Sequence, residues 1–258
     1  MSSFAASGSV ADAFFRGLAQ SERRLLVLDY DGTLAPFTAQ PQDATLYPGV
    51  TARLRTLQGQ GTTLVFVSGR PARDLATRLP LDGIEIFGAH GHDHLSATGT
   101  YSQAPLTPEA DAALQTLAAA VVQAGLESAM ERKHGSLALH WRQADAPSRL
   151  IRETLAGCLA RDLPRPLEAL DFDGGCEFRA QGRDKGTAIR ELCRRCPGAA
   201  MAYLGDDRTD EDAFAALPAT GLGVLVRPTA RPTRAHLWIR PPEELYSFLD
   251  TWITVTQP

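Results

Sequence analysis

Five short apolar runs punctuate the chain, each closing on turn-forming or polar residues: LLVLDYDG (25–32), TTLVFVSG (62–69), IEIFGAHG (84–91), AMAYLGDD (200–207) and LGVLVRP (222–228). Runs that stay apolar rather than alternating suit strands covered on both faces. Amphipathic stretches such as PGVTARLRTLQGQ (48–60) and PARDLATRLP (71–80) lie between them. Strand and helix in alternation, joined by right-handed crossovers, predict an α/β fold with a doubly wound parallel-sheet (Rossmann-like) core. Ligands of such sheets bind beyond the carboxyl ends of the strands. Those ends carry Asp29, Ser68, His90 and Asp206.

The rhythm changes between 106 and 180. TPEADAALQTLAAAVVQAG predicts a helix capped by Thr107 with Pro108 at its first position. ESAMERK and SLALHWR read as a hairpin turning at His134 and Gly135. PSRLIRETLAGCLARD reads as a second helix, and LEALDF with GCEFRA as a second hairpin turning at Asp173, Gly174 and Gly175. Helix, hairpin, helix, hairpin is a compact α+β unit, and the parallel pattern resumes at DKGTAIRELC. The expected organisation is therefore a core of 1–105 and 181–258 with an inserted α+β cap domain at 106–180.

Composition narrows the function classes. The 258 residues are 44% hydrophobic and 22% charged, as in ordinary globular proteins. A formal net charge of −4 without any basic run argues against nucleic acid as the main partner. No stretch approaches the apolar length of a membrane span, and the N-terminal twenty residues lack the charged opening and apolar core of a leader. A cytoplasmic, unprocessed monomer whose partner is a small molecule is expected. Of four cysteines, Cys193 and Cys196 form a CxxC at a helix end, which without a second pair reads as ordinary thiols.

The run at 25–32 ends in two aspartates one residue apart, which an extended backbone would send to the same face. Like charges so placed repel unless a cation lies between them or one is protonated. Three further motifs follow in order: SGR (68–70), GRDKG (182–186) and GDDRTDED (205–212). Singly, each has a structural explanation as a turn, a helix cap or a solvated charge. Together, Asp29, Asp31, Asp206 and Asp207 supply oxygen ligands for a hard cation such as magnesium (Mg2+). Lys185 would offset phosphate repulsion, while the Ser68 hydroxyl and loop N–H groups near Gly32, Thr33 or Gly69 could donate to phosphoryl oxygens. The chemistry implied is phosphoryl transfer.

These motifs resemble the haloacid-dehalogenase-like phosphatases and, more closely, the trehalose-6-phosphate phosphatases. LDYDGTLAPF, SGRP, GAHG, GDDRTDEDAF, ERKHGSLALHWR and GGCEFRA fall in that family's order over nearly the whole chain. The resemblance implies hydrolysis of trehalose 6-phosphate, the last step of trehalose biosynthesis, through an aspartyl-phosphate on Asp29. It implies that Asp31 is the acid and then the base. It also implies magnesium on the Asp29 carboxylate, the Asp31 carbonyl and Asp206, with Asp207 and Asp210 in support, and phosphoryl oxygens held by Ser68 and Lys185. Arg70, His90 and Gly91 would line the substrate site. Glu131, Lys133, His140, Arg142, Glu177 and Arg179 fall on cap positions that grip the sugar, and alternation would put each strand's pair on one face. Ala180, His92 and Asp93 depart from the family pattern. His90, His92 and His94 alternate as zinc ligands can, but the glycines favour a loop. Phosphatases for sucrose phosphate or a glycosyl-phosphoglycerate, a phosphomutase, and a receiver-like phospho-acceptor module are the competing readings.

Overall fold

The computed structural model describes residues 10–38, 43–172 and 174–257. They fall into two compact units, divided between 102 and 103 and between 183 and 184. In chain order, the first unit opens with α1 (Val10–Gln20), β1 (Arg24–Leu28), α2 (Val50–Gly59), β2 (Thr62–Val67), α3 (Ala72–Arg78), β3 (Glu85–Gly88), β4 (Asp93–Leu95) and β5 (Tyr101–Gln103). The inserted unit holds α4 (Pro108–Gln123), β6 (Met130–Lys133), β7 (Ser136–His140), α5 (Ala146–Arg161), β8 (Leu167–Phe172) and β9 (Gly175–Ala180). The first unit then resumes with α6 (Lys185–Arg195), β10 (Ala200–Gly205), α7 (Asp210–Ala216), β11 (Leu222–Val226), β12 (Leu237–Ile239) and α8 (Glu243–Val255).

The larger sheet has eight strands in the order β12-β11-β10-β1-β2-β3-β4-β5. Pairing is parallel from β12 through to β3 and antiparallel between β3 and β4. Alternation along each strand divides its side chains between two apolar layers. Leu26, Leu28, Leu64 and Phe66 pack with α1, α2, α3 and α8, and Leu25, Val27, Val65 and Val67 pack with α6 and α7. Both faces are therefore covered, which is why the strand runs carry no polar alternation. β4, β5 and β12 are three residues each and were not foreseen, since such short segments carry too little periodicity to read.

The inserted unit builds an antiparallel sheet, β6-β7-β9-β8. Leu137, Leu139, Cys176 and Phe178 pack against α4 and α5, burying one face. Thr107 caps α4 by accepting a hydrogen bond from the Ala110 N–H at 3.2 Å, with Pro108 at the first helical position. Gly175 belongs to β9 rather than to the preceding turn, and Asp173, expected in that turn, lies outside the described residues. Among the described residues no helix is long and apolar enough to cross a membrane.

Candidate active site

The carboxyl ends of β1, β2 and β10 and the start of α6 bring polar side chains together. β1 stops at Leu28, yet the Asp29 N–H still donates to the Leu204 carbonyl at 2.9 Å, so the main chain is pinned one residue past the strand. Beyond it the chain turns, and the two acids find different partners. The Asp29 carboxylate lies 3.0 Å from Lys185 Nζ, whereas Asp31 turns to Arg70, whose Nε and Nη2 donate to its two oxygens at 2.6 and 2.7 Å. Two acids so close in sequence are thus given separate cations.

Lys185 is the first residue of α6, where the helix dipole disfavours a cation. It is held there by carboxylates: Nζ donates to Asp210 Oδ1 at 2.7 Å while also contacting Asp29. A capping box between Asp184 and Thr187 sets the helix start that aims it. Asp210 is fully buried and acts as a hub. Its Oδ1 also accepts from the Tyr203 hydroxyl, and its Oδ2 accepts from the Asp206 and Asp207 N–H groups at 2.9 and 2.8 Å. The guanidinium of Arg231 braces the same loop from outside, donating to the Asp207 carbonyl at 2.6 Å. Tyr203 and Arg231 were not foreseen; the one signal for Tyr203 was a hydroxyl in an otherwise apolar run just before the GDD.

Asp29, Asp206 and Asp210 offer carboxylate oxygens that lie within 4.8 Å of one another. One ammonium faces these three acids, so the cluster carries surplus negative charge in a buried place. The Asp29 carboxyl is raised to about 7: burial pushes it up most, Lys185 pulls it back, and Asp210 and Asp31 add to the rise. Asp206 is moved well above the usual carboxylate range, by burial first and then by Asp210 and Asp29. Burial opposes the charge on Lys185, but Asp210 and Asp29 outweigh it and raise its pKa. Asp206 Oδ1 is buried with no hydrogen-bond partner among the described residues. An unpartnered carboxylate oxygen beside two more acids fits a hard divalent cation such as magnesium. Asp207, expected among the ligands, is outside this trio; its Oδ1 accepts from the Arg208 N–H at 2.6 Å, and Asp210 converges in its place.

Gly32 has φ +76, and a Cβ there would fall 2.3 Å from Asp206 Oδ2. The missing side chain lets the acidic loop close on the β1 loop. The Gly32 N–H is committed to the Ala35 carbonyl at 2.8 Å, so this residue supplies clearance rather than the donor expected of it. The Thr33 hydroxyl is buried with no hydrogen-bond partner among the described residues, as an anion-binding donor would be before its ligand arrives. Ser68 is also buried, and its hydroxyl accepts from the Arg70 N–H at 3.2 Å. The loop holding Ser68, Gly69 and Arg70 is laced to the segment after β3. His90 N–H donates to the Ser68 carbonyl at 2.9 Å and Ala89 N–H to the Arg70 carbonyl at 2.8 Å. His90 takes up φ 55, next to Gly91 at φ 93. The buried Asp93 carboxylate accepts from the Ala72 N–H at 3.0 Å, capping α3 from a neighbouring strand. His94 is paired with Glu85 at 2.6 Å.

In the inserted unit, the sheet face away from α4 and α5 is polar. Register aligns Glu131, Ala138, Glu177 and Leu170 in one row and Lys133, Ser136, Arg179 and Glu168 in the next. Side chains pair across the strands. Lys133 Nζ is 3.2 Å from Glu177 Oε1, which also accepts from Ser136 Oγ at 2.6 Å, and His140 Nε2 is 2.9 Å from Glu131. Arg179 holds Glu168 at 2.7 Å. β7 ends at His140, so Arg142 lies in the turn after it, beyond the strand whose alternation was expected to pair it with His140.

A model of the trehalose-phosphatase family matches residues 27–237. The chain is 33% identical over 215 residues to the trehalose-phosphate phosphatase of Mycobacterium marinum (strain ATCC BAA-535 / M), covering 80% of this chain and 54% of that protein. It is 31% identical over 239 residues to an uncharacterized glycosyl hydrolase of Mycobacterium tuberculosis (strain CDC 1551 / Oshkosh), covering 86% of this chain and 18% of that protein. The chain thus spans about half the length of one relative and under a fifth of the other. Among solved structures, the C-terminal domain of Candida albicans trehalose-6-phosphate phosphatase is similar with a TM-score of 0.79 at 21% identity, covering 95% of this chain and 96% of that one. At that identity the likeness speaks for the fold.

Proposed function

The chain belongs to the trehalose-phosphatase family, and from that premise we propose that it is a magnesium-dependent phosphatase releasing trehalose and inorganic phosphate from trehalose 6-phosphate. The observation that carries the reading is the buried cluster at the strand ends, in which Asp29 meets Lys185, Asp206 and Asp210 with one positive charge among them. Asp29 and Asp206, with the Asp31 carbonyl, would hold the magnesium. The ion supplies the positive charge that keeps Asp29 ionised and lets a phosphate dianion approach acids.

The chain's own residues do the rest. An Asp29 carboxylate oxygen bonds to phosphorus as the bond from phosphorus to the sugar 6-oxygen breaks, and Asp31 delivers its proton to that oxygen. Water then attacks the same phosphorus and gives its proton to Asp31. The bond between Asp29 and phosphorus breaks and phosphate leaves, with both carboxylates restored to their starting states. Lys185, Ser68 and Thr33 bind phosphoryl oxygens, and charge stabilisation supplies most of the acceleration. The polar face carrying Glu131, Lys133, His140, Glu177 and Arg179, with Arg142 nearby, recognises the sugar hydroxyls.

The test is release of trehalose and phosphate by the purified chain over many turnovers, with magnesium and trehalose 6-phosphate. No release overturns the phosphatase reading, and a single stoichiometric phosphorylation favours a receiver-like module. Equal kcat/KM for trehalose, sucrose and glucose phosphates would overturn the trehalose assignment alone.

A further inference from the structure

The least expected contact in the site is the closed fork between Arg70 and Asp31. Both carboxylate oxygens are engaged, at 2.6 and 2.7 Å, by the two guanidinium nitrogens that match a carboxylate's geometry. The rest of Arg70 is fixed as well. Nη1 reaches Asp74 at 3.4 Å, and Asp74 is itself tied to Arg78 at 2.9 and 3.0 Å. The guanidinium lies 5.6 Å from the centre of the Tyr30 ring. Its main chain is pinned on both sides, by Ser68 Oγ at the N–H and by Ala89 N–H at the carbonyl. One residue past Pro71, Asp93 holds the Ala72 N–H. The Arg70 side chain is 12% exposed.

A side chain so held is a mould for its partner rather than a free hand for a ligand. Asp31 is 29% exposed and sits on a turn, so without the fork its carboxylate could adopt several rotamers. We propose that Arg70 is the positioning residue of the acid–base aspartate, holding the ionised Asp31 carboxylate for the half-reaction in which it takes the proton of water, and acting through Asp31 rather than through contact with the sugar. The inference rests on the phosphatase reading above, and replaces the substrate-lining role expected of Arg70.

Substrates with different leaving groups isolate the effect. A sugar alkoxide needs a proton to depart; p-nitrophenolate does not. With p-nitrophenyl phosphate, formation of the Asp29 phosphate therefore bypasses Asp31, while its hydrolysis still needs Asp31 to accept the proton of water. In Arg70→Ala, kcat for trehalose 6-phosphate should fall between about 10- and 100-fold, with KM within about twofold of wild type. With p-nitrophenyl phosphate the same variant should show a burst of about one equivalent of nitrophenolate followed by slow turnover, matching Asp31→Asn. Arg70→Lys, which keeps the charge and loses the fork, should give the same pattern at smaller amplitude and guards against misfolding of the alanine variant.

A rise in KM at constant kcat would place Arg70 on the substrate and overturn the proposal. So would loss of the burst itself, which would implicate the nucleophile, or turnover as fast as wild type. Failure of the wild-type chain to release phosphate from either compound would instead sink the phosphatase reading, so the two failures are told apart.

Discussion

The core site and the polar face of the inserted sheet both gather charged side chains, but they balance them differently. In the core, Asp29, Asp206 and Asp210 share Lys185, and one oxygen of Asp206 is buried without a partner. On the inserted sheet, Glu131 meets His140, Glu177 meets Lys133 and Ser136, and Glu168 meets Arg179. The first arrangement is electrostatically incomplete and has a use for a cation and an anion together. In the second each of these carboxylates has a donor, so on the proposed reading its groups could exchange internal bonds for sugar hydroxyls at little electrostatic cost. On the proposed reading, a buried acid oxygen left without a donor belongs to the reacting site, and acids that each have a donor belong to the recognition face.

The largest effect that could break this contrast is at Asp29, the proposed nucleophile. Asp29→Asn should lower kcat by at least about 10⁴-fold, because the covalent route is lost rather than slowed. Thermal unfolding should stay cooperative, since an amide needs no ionisation in the buried site. Residual activity near wild type would mean that another group attacks phosphorus.

Metal removal comes next, and its pH dependence follows from the acid cluster. Asp29 and Asp206 are raised, so between the ordinary carboxylate range and about 7 the metal-free fold binds more protons than the unfolded chain. Stability from these groups is full at low pH and is lost as pH rises through that window. Magnesium at the proposed site would require the ionised forms and remove the cost. Chelation should abolish turnover, and the Tm gained on adding magnesium should be larger at about pH 8 than at about pH 5.5. Equal gains would show that these carboxylates do not hold the ion.

A smaller effect should sharpen the contrast from the other side. Glu177→Gln should raise KM for trehalose 6-phosphate about tenfold, the scale expected when a buried charged hydrogen-bonding group is lost, and leave p-nitrophenyl phosphate within about twofold. Equal loss on both compounds would remove the inserted face from sugar recognition.

What the sequence disclosed follows the same division. Strand ends, the Thr107 cap and the Lys185 helix start were legible because apolar period and capping chemistry are local. Which acid completes the trio was not. Asp207 and Asp210 are three residues apart, and the choice depends on how the loop at 206–209 directs its N–H groups onto Asp210. The Arg70 fork spans 39 positions, and the pairing of Glu131 with His140 depends on hairpin register, so neither could be read from spacing. Arg142 shows the opposite failure, where alternation was carried two residues past the end of β7.

The smallest predicted effect tests whether the inserted face is closed at all. Burial would push Glu131 up, but the hydrogen bond from His140 and the charges of Lys133 and His140 outweigh it and hold the carboxyl below its ordinary 4.5. Such a group contributes stability above 4.5 that is lost as pH falls through its folded value. The Glu131 side chain is 44% exposed, so solvent screening keeps the contribution well under about 1 kcal/mol. Glu131→Gln should therefore lower Tm by about 1 °C near pH 7. The gap should narrow in high salt and close as pH falls through the lowered folded value of the carboxyl, below which the wild-type side chain is protonated as well. A gap that widens on acidification would mean that Glu131 is strained by its neighbours rather than held by them, and the inserted face would then carry unbalanced charge like the core.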